Sequence, residues 1–187
     1  MISAALAVLE DEEQRNELSE IYRQNAGEFF SIAISKLHNK QDAEEAVQEA
    51  FLAIANNPDC LFGIAKEKRV SYINVIIRNQ AFKLWNYRNN IEKNEVALSN
   101  DIADDELLAE EIFSVGCSCE EIYGFIDTLP EASRAALTLK VNFGLKCSDI
   151  AKVLGMSEEC VRKRIKRANG KIMEFVEGVR NGKALYD

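Results

Sequence analysis

Apolar positions in the first half of the chain recur with the period of a helix, not of a strand. The clearest stripe lies in residues 41–57. There Ala43, Ala46, Val47, Ala50, Phe51 and Ile54 fall at i, i+3, i+4, i+7, i+8 and i+11, which places them along one side of a helix. Asp42, Glu45, Gln48, Glu49 and Leu52 fall on the other side, and Asn56, Asn57 and Pro58 end the run. Upstream, Leu18, Ile21 and Tyr22, then Phe29, Phe30, Ala33, Ile34 and Leu37, form an amphipathic helix ending near His38 and Asn39. Downstream, an irregular piece at residues 61–68 precedes a helix over about residues 70–89. Ile73, Ile76, Ile77, Phe82 and Trp85 give it an apolar surface. Arg78, Asn79, Lys83, Asn86 and Arg88 give it a polar, cationic one. Tyr72, Phe82, Trp85 and Tyr87 interleave with these cations, and such a face can hold phosphates and stack on bases; most of the aromatics are expected in the core instead, whereas Asn79 and its basic neighbours are expected to serve nucleic-acid contact rather than to be merely solvated.

The last third of the chain has a different pattern. Leu129-Pro130-Glu131 opens a helix, with proline at a tolerated early position. Ala136, Leu137, Leu139, Lys140 and Val141 continue it, and Phe143-Gly144 ends it. Residues 147–168, CSDIAKVLGMSEECVRKRIKRA, then read as two short helices around a tight break. Ser148 is an N-cap candidate, and Ile150, Ala151 and Leu154 form an apolar face. Gly155 stands where a left-handed backbone is needed. Ser157 can cap the second helix, with Glu158 and Glu159 in its electropositive first turn. Val161, Ile165, Ala168 and Ile172 should face inward, which gathers Arg162, Lys163, Lys166 and Arg167 on the opposite side. This is the spacing of a helix-turn-helix, whose second helix enters the major groove of DNA.

Composition strengthens that reading once it is divided along the chain. The 187 residues carry a net charge of −8, which argues against a generally sticky nucleic-acid binder. Residues 1–90 are at −3, residues 91–121 at −9 and residues 122–187 at +4. A basic end separated from the first half by a strongly acidic stretch points to a modular nucleic-acid partner. The expected fold class is therefore all-α, with two small helical domains, residues 1–92 and 119–187, joined by an acidic linker at residues 93–118. Ile102, Leu107, Leu108 and Ile112 are candidates for a short helix within the linker. Only 2 prolines and 9 glycines suit long helices. No stretch is long and apolar enough to cross a bilayer, and the opening turns acidic at once, so neither a membrane insertion nor a secretory signal is expected. Five cysteines without framework spacing read as free thiols in a reducing cytoplasm. Cys117 and Cys119 form the only close pair, and the sole histidine, His38, lies far away, so no metal or cofactor is expected.

Three motifs in order resemble one family. DAEEAVQEAF resembles the core-polymerase-binding segment of bacterial sigma factors of the sigma-70 family. SYINVIIRNQAFKLW is similar to the helix that follows it there. LPEASRAALTLKVNFGLKCSDIAKVLGMSEECVRKRIKRA resembles the family's C-terminal domain, and the arrangement is that of its compact two-domain, extracytoplasmic-function members. The resemblance runs over roughly residues 15–175. It implies that residues 1–92 form the family's region 2 and residues 119–187 its region 4. Asp42, Glu45, Gln48, Glu49 and Leu52 would face the clamp helices of the largest subunit of core RNA polymerase. Arg78, Asn79, Lys83 and Asn86 would contact the minus-ten promoter element, and a loop at residues 61–71 would hold an unstacked base. Ser157, Glu159, Arg162, Lys163, Lys166 and Arg167 would meet the minus-thirty-five element. An anti-sigma factor is a further partner that the resemblance implies. The linker would run toward the polymerase active site as an acidic mimic of nucleic acid; by composition it is equally a soluble tether. The chain departs from the family at Tyr72, Lys83, Asn86, Glu159 and Cys160, where tryptophan, aspartate, arginine, a small residue and threonine are usual.

Two other classes compete. A stand-alone helix-turn-helix regulator accounts for the C-terminal helices but not for the acidic, apolar-striped helix at residues 41–57, and such regulators dimerise on paired half-sites. An enzyme would need a phosphate loop, a metal motif or a nucleophile with its base, and none is legible. His38 reads as a helix-end residue.

Overall fold

The computed structural model describes residues 2–89 and 119–180, and every regular element among them is a helix. The first half contains α1 (Ser3–Val8), α2 (Glu12–Leu37), α3 (Lys40–Ala55), α4 (Pro58–Phe62) and α5 (Lys66–Arg88). The second half contains α6 (Cys119–Thr128), α7 (Glu131–Phe143), α8 (Cys147–Leu154) and α9 (Glu158–Arg180). The linker, including Ile102, Leu107, Leu108 and Ile112, lies outside the described residues, as do Cys117 and the side chain of Cys119. Among the described residues, no helix is long and apolar enough to cross a membrane.

Local chemistry sets the helix ends. Asp11 caps α2 by accepting from the backbone N–H groups of Glu13 at 2.8 Å and Gln14 at 3.0 Å. His38 ends it in a left-handed conformation, φ 54°, with its N–H on the carbonyl of Ile34. Asn39 then caps α3, accepting from the N–H of Asp42 at 3.1 Å. The expected irregular piece at residues 61–68 is mostly helical. Leu61 and Phe62 complete α4, Lys66 opens α5, and only residues 63–65 connect them. The proposed base-holding loop at residues 61–71 is therefore not a loop here.

Helices α2, α3 and α5 pack against one another, with α1 laid along α3. Leu18, Phe29, Phe51, Ile54, Leu61, Ile73, Ile76 and Ile77 are fully buried between them. Phe51 sits at the centre, meeting the rings of Tyr22 and Phe29 edge-on at 5.3 and 5.5 Å. The apolar stripe of α3 is buried as its spacing predicts. In the second half, Leu129, Leu137, Ala168, Ile172 and Val176 form a small core, flanked by Phe125 stacked on Phe175 at 4.4 Å.

These two halves are not separate balls. The remaining apolar faces of α7 and α8, with Ala135, Ala136, Leu139, Ile150, Val153 and Leu154, join the same buried cluster as Ile73, Ile76 and Ile77 of α5. Phe51→Ala should lower stability by about 3–5 kcal/mol, because it removes a fully buried ring from the centre of the core and leaves a cavity. Urea unfolding followed by circular dichroism measures that loss.

Candidate nucleic-acid interface

The helix-turn-helix forms where the spacing places it, with one change at its start. Lys146, not Ser148, is the residue before α8, and it makes no side-chain cap; Ser148 lies inside the first turn. Gly155 ends α8 at φ 62°, and the N–H of Met156 reaches back to the carbonyl of Ala151 at 2.9 Å. Ser157 caps α9 by accepting from the N–H of Cys160 at 3.2 Å. Its hydroxyl oxygen is thus engaged in starting the helix.

Along α9, Val161, Ala168 and Ile172 are buried and Ile165 is half-buried, which turns the cations outward. Arg162, Lys166 and Arg167 are exposed. Lys163 is a departure. It is drawn onto Glu159 at 2.6 Å, and only 12% of its side chain remains accessible. Arg162 likewise reaches Glu158 at 2.7 Å but stays in solvent. The hydrogen bond from Lys163 holds the Glu159 carboxyl below its ordinary value of 4.5. The pair therefore persists at neutral pH and is released only as pH falls through that depressed value in acid. Glu159, which stands where the family has a small residue, acts as an internal partner that offsets one of the four cations.

The polar face of α5 is the larger correction. Arg78 is exposed, but Asn79 is completely buried. Neither side-chain atom of Asn79 has a hydrogen-bond partner among the described residues, and the Tyr72 hydroxyl and Asn86 Oδ1 are buried in the same condition. A buried amide atom without a partner costs roughly 1–3 kcal/mol. Lys83 is half-buried, its Nζ donates to the carbonyl of Leu154, and burial pushes its pKa down. These residues point toward the second half of the molecule because α7 and α8 cover this face. The aromatics are likewise occupied: Phe82 and Trp85 stack on each other, and the Lys36 ammonium lies 4.1 Å from the Trp85 ring centre. Tyr87 alone of the four stands well exposed.

On α3, Glu45, Gln48 and Glu49 are exposed and Leu52 is half-buried, making one acidic face with an apolar spot. Asp42 does not belong to that open face. It is buried, and Arg88 from the end of α5 holds its carboxylate at 2.7 Å while lying 3.6 Å from Glu45. Arg88 read as surface cation because nothing local identifies its partner 46 residues earlier. Arg69 was missed for the same reason. It is buried, pairs with Glu17, and donates to the carbonyls of Phe62 at 3.0 Å and Ile64 at 3.3 Å. It thereby holds the short connector at residues 63–65 closed.

A cleft of about 600 Å³ lies between the halves, lined among others by Lys36, Arg78, Phe82, Glu131 and Arg134. Arg134 is already paired with Glu131 and Asp127. Among the described residues no three His, Cys, Asp or Glu side chains gather to hold a metal.

Two substitutions probe the reading helix. Glu159→Gln should release Lys163 and steepen the salt dependence of duplex binding by roughly one ion, while Arg167→Ala should flatten it by about the same amount. Fluorescence anisotropy on a labelled duplex across a salt series reads both. Gly155→Ala should cost about 1–2 kcal/mol in urea unfolding, because a left-handed φ disfavours a Cβ and that Cβ would lie 3.2 Å from Lys83 Nζ.

Compared with known proteins, residues 119–171 match the family model Sigma-70, region 4. No curated protein matches the chain. The matched segment covers α6, α7, α8 and the first half of α9, and contains the whole helix-turn-helix. A domain of this kind binds DNA in transcription initiation. Residues 119–171 of the chain are thus similar to region 4 of the sigma-70 family.

Proposed function

We propose that this chain is a promoter-specificity subunit of RNA polymerase, of the extracytoplasmic-function type. One observation carries the reading: a region 4 helix-turn-helix with outward cations shares a chain with an acidic, apolar-spotted helix face that the helix-turn-helix does not need. In this reading Glu45, Gln48, Glu49 and Leu52 of α3 dock on the basic clamp helices of the polymerase largest subunit, where charge complementarity speeds and orients association. Asp42 serves that face indirectly, fixing the end of α5 against α3 through Arg88. Arg162, Lys166 and Arg167 enter the major groove of the minus-thirty-five element, with arginine suited to bidentate pairing with guanine. Arg78, Asn79, Lys83 and Asn86 of α5 serve the minus-ten element once their face is uncovered. A masking partner, such as an anti-sigma factor, would compete for the α3 face. No step in this function requires turnover or a cofactor.

Run-off transcription on a promoter library, with core polymerase added to the purified chain, tests the proposal. Promoter-dependent transcripts are expected only when both are present. Replacing Glu45 and Glu49 together by lysine should weaken core binding by about tenfold or more, since two attractive pairs become repulsive, while duplex binding by the chain alone is retained. Protection of a palindromic operator by the chain without polymerase would instead identify a stand-alone regulator.

A further inference from the structure

Several cations that pack against the body of the protein are answered by carboxylates. Arg69 has Glu17, Arg88 has Asp42, Arg134 has Glu131 and Asp127, and Lys163 has Glu159. Lys36 and Arg78 are different. Among the described residues neither has a carboxylate at ion-pair distance. The chain holds 31 acidic side chains against 23 basic ones, so acidic partners are not scarce. Both unanswered cations line the same cleft, the one of about 600 Å³ between α2, α5 and the start of α7.

The cleft wall has a repeated pattern. Helix α2 supplies Ile32 and Lys36, and helix α5 supplies Phe82 and Arg78. In each helix the cation and the apolar residue stand four positions apart, on one face. Leu129 and Pro130 close a third side with more apolar surface. The carboxylate on the wall, Glu131, is already held by Arg134 and does not cancel the two cations. Lys36 meanwhile rests on aromatic faces, its ammonium 5.4 Å from the Phe82 ring centre and 4.1 Å from that of Trp85. Such a contact is weaker than a charge-assisted hydrogen bond to an oxyanion, so an anion can draw the ammonium away. Apolar walls with a few convergent polar groups, at this volume, are the usual make-up of a small-molecule site.

We infer that this cleft binds a small organic anion, with a carboxylate or phosphate head between Lys36 and Arg78 and an apolar body on Ile32, Phe82 and Leu129. Arg78 offers the oxyanion a planar fork, and Lys36 offers a flexible point charge. The site goes beyond the transcriptional reading and does not depend on it. Of the four α5 residues assigned to promoter DNA, only Arg78 lines the cleft. Trp85 is the sole tryptophan and stacks on Phe82, so it reports on the site. An occupant that takes the Lys36 ammonium changes its emission.

Octanoate and adenosine 5′-monophosphate serve as probes, an aliphatic carboxylate and an aromatic phosphate. Each is titrated into the full chain, without polymerase or DNA, by isothermal titration calorimetry with Trp85 emission followed in parallel. Saturable one-to-one binding with a Kd below about 1 mM is expected for at least one of them. Tighter octanoate identifies an acyl ligand, and tighter adenosine 5′-monophosphate a nucleotide. Arg78→Gln and Lys36→Gln should each weaken binding about tenfold. Arg23→Gln, which removes an exposed cation elsewhere on α2, should leave it unchanged. Inorganic phosphate and octan-1-ol each supply half of the ligand and should bind at least about tenfold more weakly. Failure of both probes to saturate overturns the site. So does binding that a folded Arg78→Gln chain keeps at wild-type strength, or that leaves Trp85 emission unchanged. Inorganic phosphate that binds as tightly as the probes overturns the apolar half of the assignment. A chain that binds a probe yet directs no transcription keeps this site and loses the transcriptional reading instead.

Discussion

Helix α5 has to satisfy two neighbours at once, and most of the structure follows from how it does so. Ile73, Ile76 and Ile77 are buried in the same cluster as residues of α2 and α3, and they complete the N-terminal core. An adjoining face, which Ile76 shares, carries Lys68, Tyr72, Asn79 and Lys83, and α7 and α8 close over it. Apolar burial rewards both contacts, because the hydrophobic effect is non-directional and scales with the area removed from water. Hydrogen bonding does not reward the second contact equally, since among the described residues Asn79 is buried without partners. The junction is therefore held by shape, apolar area and the two lysine hydrogen bonds, while the Asn79 amide is left unsatisfied among the described residues.

Charge is handled in a similar way throughout. The chain is acidic overall, yet its acidic and basic residues are not simply spread over the surface. Glu17 holds Arg69, Asp42 holds Arg88, and Glu159 holds Lys163. The first two pairs tie one element to another; Glu17 and Arg69 are both shielded, whereas Arg88 reaches buried Asp42 from solvent. The third lies within the first two turns of α9, with its carboxylate in solvent, and changes which cations of that helix are presented. What remains outward is sorted by sign: Glu45 and Glu49 on α3, and Arg162, Lys166 and Arg167 on α9. A cationic helix face can thus exist within a chain whose net charge is −8, because a local field depends on the charges nearby and not on their sum over the chain.

The sequence by itself determined the helical elements and the helix-turn-helix. The stripe of α3, the inward positions Val161, Ile165, Ala168 and Ile172, the left-handed glycine at 155 and the cap at Ser157 all depend on neighbours within a few residues, and helical periodicity and capping act over that range. The misplaced cap at Ser148 and the missing loop at residues 61–71 were errors of this local kind: Ser148 fell a position or two inside α8, and residues taken as irregular completed α4 and opened α5.

Only the tertiary structure decided the fates of Asp42, Arg69, Asn79 and Lys83. Each is polar, each lies on a helix face that the sequence assigns to solvent or leaves unplaced, and each is covered by an element far away along the chain. A single helix has only an apolar side and a polar side. Whether the polar side meets water, a counter-ion or another helix depends on long-range packing, and the side-chain pattern of that helix alone does not encode it.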